Sequence, residues 1–223
     1  MKHNLQRAKQ IVLIFWILLG ISILSLISEL LQLNLLNRFS GGYYDDHSAN
    51  VNDIRQGVIA LLTFITIIFS IIFFIRWFRR AYYNLHKIGV KGLRYSEGWA
   101  AGCWFIPFIN LMYPYQIMRE IWIETQRAIA GNNNIKNANL VGWWWALYLF
   151  SNTYSYITLR ISLNANDIEA LIQVSVIGAL GLFIEIPAIL ATIFMIQETA
   201  AFEQKLYTAG VGETDLLEHL VEN

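Results

Sequence analysis

Four long apolar runs separated by polar stretches dominate the chain, at 11–33, 54–78, 140–160 and 170–197. Each is close to or above the about 20 residues that an α-helix needs to cross the hydrocarbon core of a bilayer. Lipid offers no hydrogen bonds, so a spanning segment must satisfy its own backbone. The β-branched run at 65–72 therefore reads as helix despite its poor helix propensity in water. Lys2, Arg7 and Lys9 precede the first run, as they would in a signal peptide. The apolar part of a signal peptide is only about 7–15 residues and ends on small residues. Here Leu30, Leu31 and Gln32 close a longer stretch, so it reads as a retained transmembrane helix.

The segment from 76 to 127 departs from this pattern. Arg76, Arg79, Arg80, Lys87, Lys91 and Arg94 come before any acid, and the first acid is Glu97. The positive-inside rule places this loop in the cytoplasm, in agreement with the basic amino end after two crossings. Arg76, Arg80 and Lys87 recur at helical spacing, which carries the second helix on to about His86, with Gly89 and Gly92 ending it. Ser96 is placed to cap a new helix with Glu97 in its first turn, and Gly98 and Gly102 form a small-xxx-small pair. Pro107 stops that helix after about half a membrane thickness, and Pro114 opens an amphipathic helix over 115–129. A full crossing between Gly98 and Met118 would put Arg119, Arg127 and Lys136 outside, against the charge rule. A re-entrant or interfacial hairpin turning at 107–110 keeps them inside and is the favoured reading.

The expected fold is therefore all-α. It is a polytopic helical membrane protein with four transmembrane helices and a central re-entrant or interfacial helical hairpin at about 96–130. Residues 1–200 form one membrane-embedded domain and 201–223 an acidic tail, with both termini in the cytoplasm. Composition agrees: 56% of residues are hydrophobic, only 14% are charged, and the mean hydropathy is +0.44. Sixteen basic and sixteen acidic residues balance to zero, which argues against nucleic acid as a partner. The single cysteine, Cys103, can make no disulfide within the chain, and Asp45, Asp46 and His47 are too close in sequence to wrap a metal ion. No metal or cofactor motif is present, and none is expected to be bound.

The run RWFRRAYYNL followed by LRYSEGWAAGCWFIPFINLMYPYQIMREIW resembles the bacterial membrane proteins grouped as domain of unknown function 4328. The residues carrying the resemblance are Arg80, Ala81, Tyr82, Asn84 and Leu85; then Ser96, Gly98, Trp99 and Ala100; Trp104, Phe105, Pro107, Asn110 and Leu111; and Pro114, Met118, Glu120 and Trp122. The resemblance implies a multi-pass protein of the bacterial cytoplasmic membrane and carries no activity with it.

Three candidate sites remain. Glu185 lies near the middle of the last span, where a carboxylate has to be protonated, paired or wet, and Tyr148, Asn152, Ser155 and Tyr156 form one face of the third. That face is expected to look into the bundle toward Glu185. The cluster of Arg76, Arg79, Arg80, Lys87, Lys91 and Arg94 is a candidate surface for anionic lipid headgroups. Arg119, Glu120, Glu124 and Arg127 resemble an acid–base set, but no nucleophile accompanies them, and no catalytic residue is assigned. The favoured function is a non-enzymatic module that assembles with itself or a membrane protein partner through the Gly98/Gly102 hairpin and its tryptophans. The alternatives are a small channel or carrier using Glu185, and a surface enzyme acting on a lipid-linked substrate through Glu120.

Overall fold

The structure is a computed structural model that describes residues 1–131 and 135–221, with side chains described through residue 210. It is 82% helical, without strands among the described residues. Six α-helices follow one another: α1 (Leu5–Ser40), α2 (Asp46–Lys87), α3 (Trp99–Gly102), α4 (Tyr113–Ala130), α5 (Asn139–Ser162) and α6 (Ile168–Val221), with a 3-10 turn at Ile109–Leu111. The turn expected at 131–134 lies outside the described residues beyond Gly131, as do the acidic side chains of the tail after residue 210. The backbone of that tail continues α6 as far as Val221.

Helices α1, α2 and α6 are each long and apolar enough to cross a membrane. Helix α5 is not among them, because the hydroxyls and amides of its second half dilute its hydropathy. The polar stretch expected at 34–53 shrinks to a short link. Gly42, at φ 89, turns the chain out of α1 in the left-handed conformation that glycine adopts without strain. Asp45 then caps α2, accepting from the backbone N–H groups of His47 and Ser48 at 3.2 and 3.1 Å. At its other end α2 runs on to Lys87, as its basic spacing predicts, and Gly89 and Gly92 follow with positive φ.

Two compact units divide the chain. The first comprises Met1–Leu13, Ser70–Trp145 and Ile193–Asn223; the second comprises Ile14–Phe69 and Ala146–Thr192. In the first unit, Trp77, Phe78, Ala81, Tyr82 and Leu85 make a buried stripe along the end of α2. Phe74 and Phe78 meet the Trp104 ring edge-on at 5.5 and 5.8 Å between centroids, and Ile117, Met118, Ile121 and Trp122 bury the inner face of α4. In the second unit Leu24, Leu61, Phe64, Ile68 and Phe183 turn outward, the inverse of a water-soluble protein and the arrangement expected of a lipid-facing surface.

The hairpin differs in detail from its expected form. Its first arm is a single turn, Trp99–Gly102, because Ser96 makes no cap and the chain goes straight into turns before Pro107. The Gly98/Gly102 pair accordingly receives no close helix: a Cβ at either would meet nothing within 4 Å. At the tip, the Ile109 N–H donates to the Pro107 carbonyl at 2.8 Å across Phe108, which is held at φ 65 in a strained γ-turn. Phe105 and Phe108 are 73% and 82% exposed at this tip, and Leu111 and Met112 are exposed beside them.

In the second unit Gly181 admits the Tyr154 ring so closely that a Cβ there would lie 2.7 Å from it, while the Tyr154 hydroxyl donates to the Ile177 carbonyl at 2.7 Å. Gly181→Ala is expected to displace the ring and lower stability by about 1–3 kcal/mol. The unfolding midpoint in detergent is the measurement, and an unchanged midpoint would show that this contact carries no energy.

Candidate functional site

Two turns of α2 that emerge from the apolar run position most of the first unit's polar chemistry. The Tyr82 hydroxyl donates to Glu120 Oε2 at 2.7 Å and accepts from the Tyr95 N–H at 3.3 Å. Tyr95 precedes the hairpin and Glu120 lies on its second arm, so the chain leaves this hydroxyl and returns to it. Burial, reinforced by the bond to Glu120, raises the Tyr82 pKa and keeps the phenol protonated. Glu120 also accepts from the Arg94 N–H at 3.2 Å, with Arg94 Nε at 3.7 Å. The carboxylate is thus a joint that fastens the loop and α4 to α2.

Asn84, two residues further along α2, closes a second joint. Its Oδ1 accepts from the Lys2 N–H and its Nδ2 donates to the Lys2 carbonyl, both at 2.9 Å. The same Nδ2 donates to Glu203 Oε1 at 3.2 Å, and Asn4 Nδ2 donates to Glu203 Oε2 at 2.9 Å. The amino-terminal arm, α2 and α6 therefore meet on one buried carboxylate. Sequence reasoning missed Glu203; its signal was its place on the stripe Ile196, Thr199, Ala200, Glu203, which the structure buries.

The remaining motif residues are mostly structural. Trp99 packs on Tyr113 at 5.5 Å, Trp104 sits among the Phe74, Phe78 and Trp145 rings, and Pro114 is buried at the start of α4. The Trp122 indole donates to the Asn137 carbonyl at 3.0 Å and meets Phe202 edge-on. Pro107 and Asn110 shape the tip, where the Asn110 N–H donates to the Ile106 carbonyl. Trp99, Trp104 and Trp122 thus pack within the first unit rather than forming a free docking face.

The basic cluster is exposed but partly engaged. Arg76 lies over Phe73, Arg80 over Tyr83, and Arg79 pairs with Glu97 at 3.4 Å. Lys87, Lys91 and Arg94 are exposed to solvent.

The second unit contains a ladder of polar side chains that the sequence analysis did not single out. Ser28 Oγ accepts from Arg55 Nε at 2.9 Å and donates to Gln56 Oε1 at 3.1 Å, while Gln32 donates to Ser175 Oγ at 2.7 Å. Glu185 accepts from Ser22 Oγ at 2.9 Å. A cleft of about 340 Å³ is lined by both Glu29 and Glu185, with Tyr154 and Thr158 from α5. Of the expected Tyr148, Asn152, Ser155, Tyr156 face, Ser155 lines the cleft and the other three do not. Asn152 and Tyr156 are exposed, with Asn152 Nδ2 bonded to the Tyr148 carbonyl and the Tyr156 hydroxyl accepting from Arg160 Nε. The polar stripe that lines the cleft is therefore turned part-way round the helix from the expected one, with Ser155 common to both. Tyr154 and Thr158 face inward, and residues two positions away lie about 200° round the helix.

The model of the family described as Domain of unknown function (DUF4328) matches residues 42–201. The chain belongs to the DUF4328 family. No curated protein and no solved structure matches the chain. In this DUF4328 chain the match takes in α2 through most of α6, including Tyr82, Asn84 and Glu120. Lys2, Asn4 and Glu203, which complete the second joint, lie outside it.

Burial pushes the Glu203 carboxyl up to about 7, against the opposing effect of the Asn4 and Asn84 hydrogen bonds. The folded state therefore holds this proton at pH values where the unfolded chain has released it, so stability falls as pH rises from the ordinary carboxyl value toward 7. The fall across that window is roughly 3 kcal/mol. Glu203→Gln is expected to flatten the profile, measured as unfolding midpoint against pH. An identical slope in the variant would mean that Glu203 does not titrate there.

Proposed function

We propose that this DUF4328 protein is an assembly module of the bacterial cytoplasmic membrane that associates with a second copy of itself through the outward face of α5. One observation carries the reading. Asn152, Thr153 and Tyr156 are all exposed in the middle and second half of a helix long enough to cross the bilayer. Polar groups facing lipid are unfavourable, and interhelical polar contacts relieve them. The face has both donors and acceptors, and Asn152 Oδ1 accepts no hydrogen bond among the described residues. The same patch on a second copy complements it around a two-fold axis.

Four crossings are the topology that fits this reading. Helices α1, α2, α5 and α6 each have one part in each compact unit, and the amino-terminal arm and the later part of α6 share the Glu203 joint of the first. The bond of Tyr82 to Glu120, beside its contact with Tyr95, supports a hairpin over a further crossing. The exposed Phe105 and Phe108 suit a tip that dips into lipid. Both termini then lie in the cytoplasm.

Asn152→Cys in a Cys103→Ser background is expected to form a disulfide-linked dimer in native membranes, while Phe64→Cys on α2 is not. Asn152→Leu should weaken the dimer by about 0.6–2 kcal/mol in a dilution series. A protein that stays monomeric in membranes, or one whose Asn152 cross-links only to a different chain, removes the self-assembly reading.

The cleft shared by Glu29 and Glu185 favours a second reading, a proton or cation site. Under it, Glu185→Gln abolishes ion or proton flux into proteoliposomes while leaving the fold intact. If the variant retains the wild-type flux, or if the wild type shows none, the Glu185–Ser22 contact is a helix fastener.

A further inference from the structure

A second cleft, of about 530 Å³, opens in the first unit between the 92–94 loop and the polar face of α4. Arg94, Arg119 and Arg127 line it, together with Glu120 and Glu124. Both acids already have donors. Glu120 accepts from Tyr82 and the Arg94 N–H, and Glu124 accepts from Arg127 at 2.6 Å. Arg94 Nε stands 3.7 Å from Glu120, longer than a hydrogen bond. Arg119 is exposed and has no ion pair among the described residues. The cleft thus holds three guanidinium groups against two acids, with Arg119 unmatched. Guanidinium forks suit the paired oxygens of a phosphate group.

Helix α4 follows directly from the hairpin tip. Arg119 lies seven residues beyond the exposed Met112, about 10 Å along a helix axis. A charged cleft and an exposed apolar tip at this separation match the two ends of a phospholipid. We infer that the cleft binds the phosphate of an anionic phospholipid headgroup, with Arg119 as its principal ligand and the acyl chains running toward Phe108 and Met112. This site is separate from the basic surface of α2, sharing only Arg94 with it, and it does not depend on association through α5.

Glu124 holds Arg127 away from such a ligand, which gives the site an unusual signature: removing this acid should strengthen binding. The test uses the full-length protein in detergent micelles with fluorescently labelled phosphatidylglycerol as the probe and phosphatidylcholine as the uncharged-net control. Saturable binding of phosphatidylglycerol is expected, about tenfold weaker in Arg119→Gln and tighter in Glu124→Gln. Arg76→Gln, on the α2 surface, should bind as the wild type does. Displacement of the probe by glycerol 1-phosphate, with the same dependence on Arg119, identifies a free phosphate ester as the source of the group. Equal binding of the two lipids, or no loss in Arg119→Gln together with no gain in Glu124→Gln, overturns the inference.

Discussion

A polar group taken out of water has to find its partner inside the protein, and each unit of this chain is fastened where that requirement is met. In the first unit Glu203 is buried against two asparagine amides, and one of those side-chain amides also grips the backbone of Lys2 in both directions. Glu120 imposes the same requirement, and Tyr82, two residues before Asn84, answers it. In the second unit Arg55 is answered by Ser28, and Glu185 by Ser22. Apolar packing supplies the area in all these places but is indifferent to register. The hydrogen bonds choose which turn of one helix sits beside which turn of another.

That distinction explains what could be read from sequence. Hydropathy finds α1, α2 and α6 because a bilayer filters for length and apolar content, properties that need no knowledge of neighbours. Charge bias finds the basic end of α2, and the prolines find the hairpin's breaks. The phase of α5 was not legible in the same way. Its stripe of Tyr148, Asn152 and Tyr156 is as polar as the line through Tyr154 and Thr158, and either could face inward on pattern alone. What selects Tyr154 is the gap above Gly181, which only it fills. The hairpin's first arm failed for a related reason: Ser96 and Glu97 are good helix-starting residues, but the Tyr95 N–H is held by Tyr82 and the helix is delayed to Trp99.

Glu203 and the ladder around Ser28 show a different kind of blindness. A lone glutamate in a helix that also contains Glu198 and Lys205 looks like part of a solvated surface. Its burial depends on the amino-terminal arm, some two hundred residues earlier in the chain, being laid against it. Likewise, the serines and glutamines of α1 and α2 look like unremarkable interface residues until they are found bonded to one another. Long-range polar pairs of this kind leave only a periodic trace in the sequence, polar positions on an otherwise apolar stripe.

The same reasoning bears on α5. Helices α1, α2 and α6 present apolar side chains outward and bond polar groups such as Ser22, Gln32, Arg55 and Glu185 among themselves. Helix α5 is less apolar because its polarity is divided between two faces, on one of which the Tyr154 hydroxyl bonds the Ile177 carbonyl. If the outer face met hydrocarbon, the Asn152 carbonyl oxygen, which accepts no hydrogen bond among the described residues, would be desolvated without compensation. Turning the helix by half a revolution would only exchange one unsatisfied face for the other and empty the gap above Gly181. The outward polarity of α5 is the cost that the proposed self-association would relieve, with the same chemistry that the helix already carries.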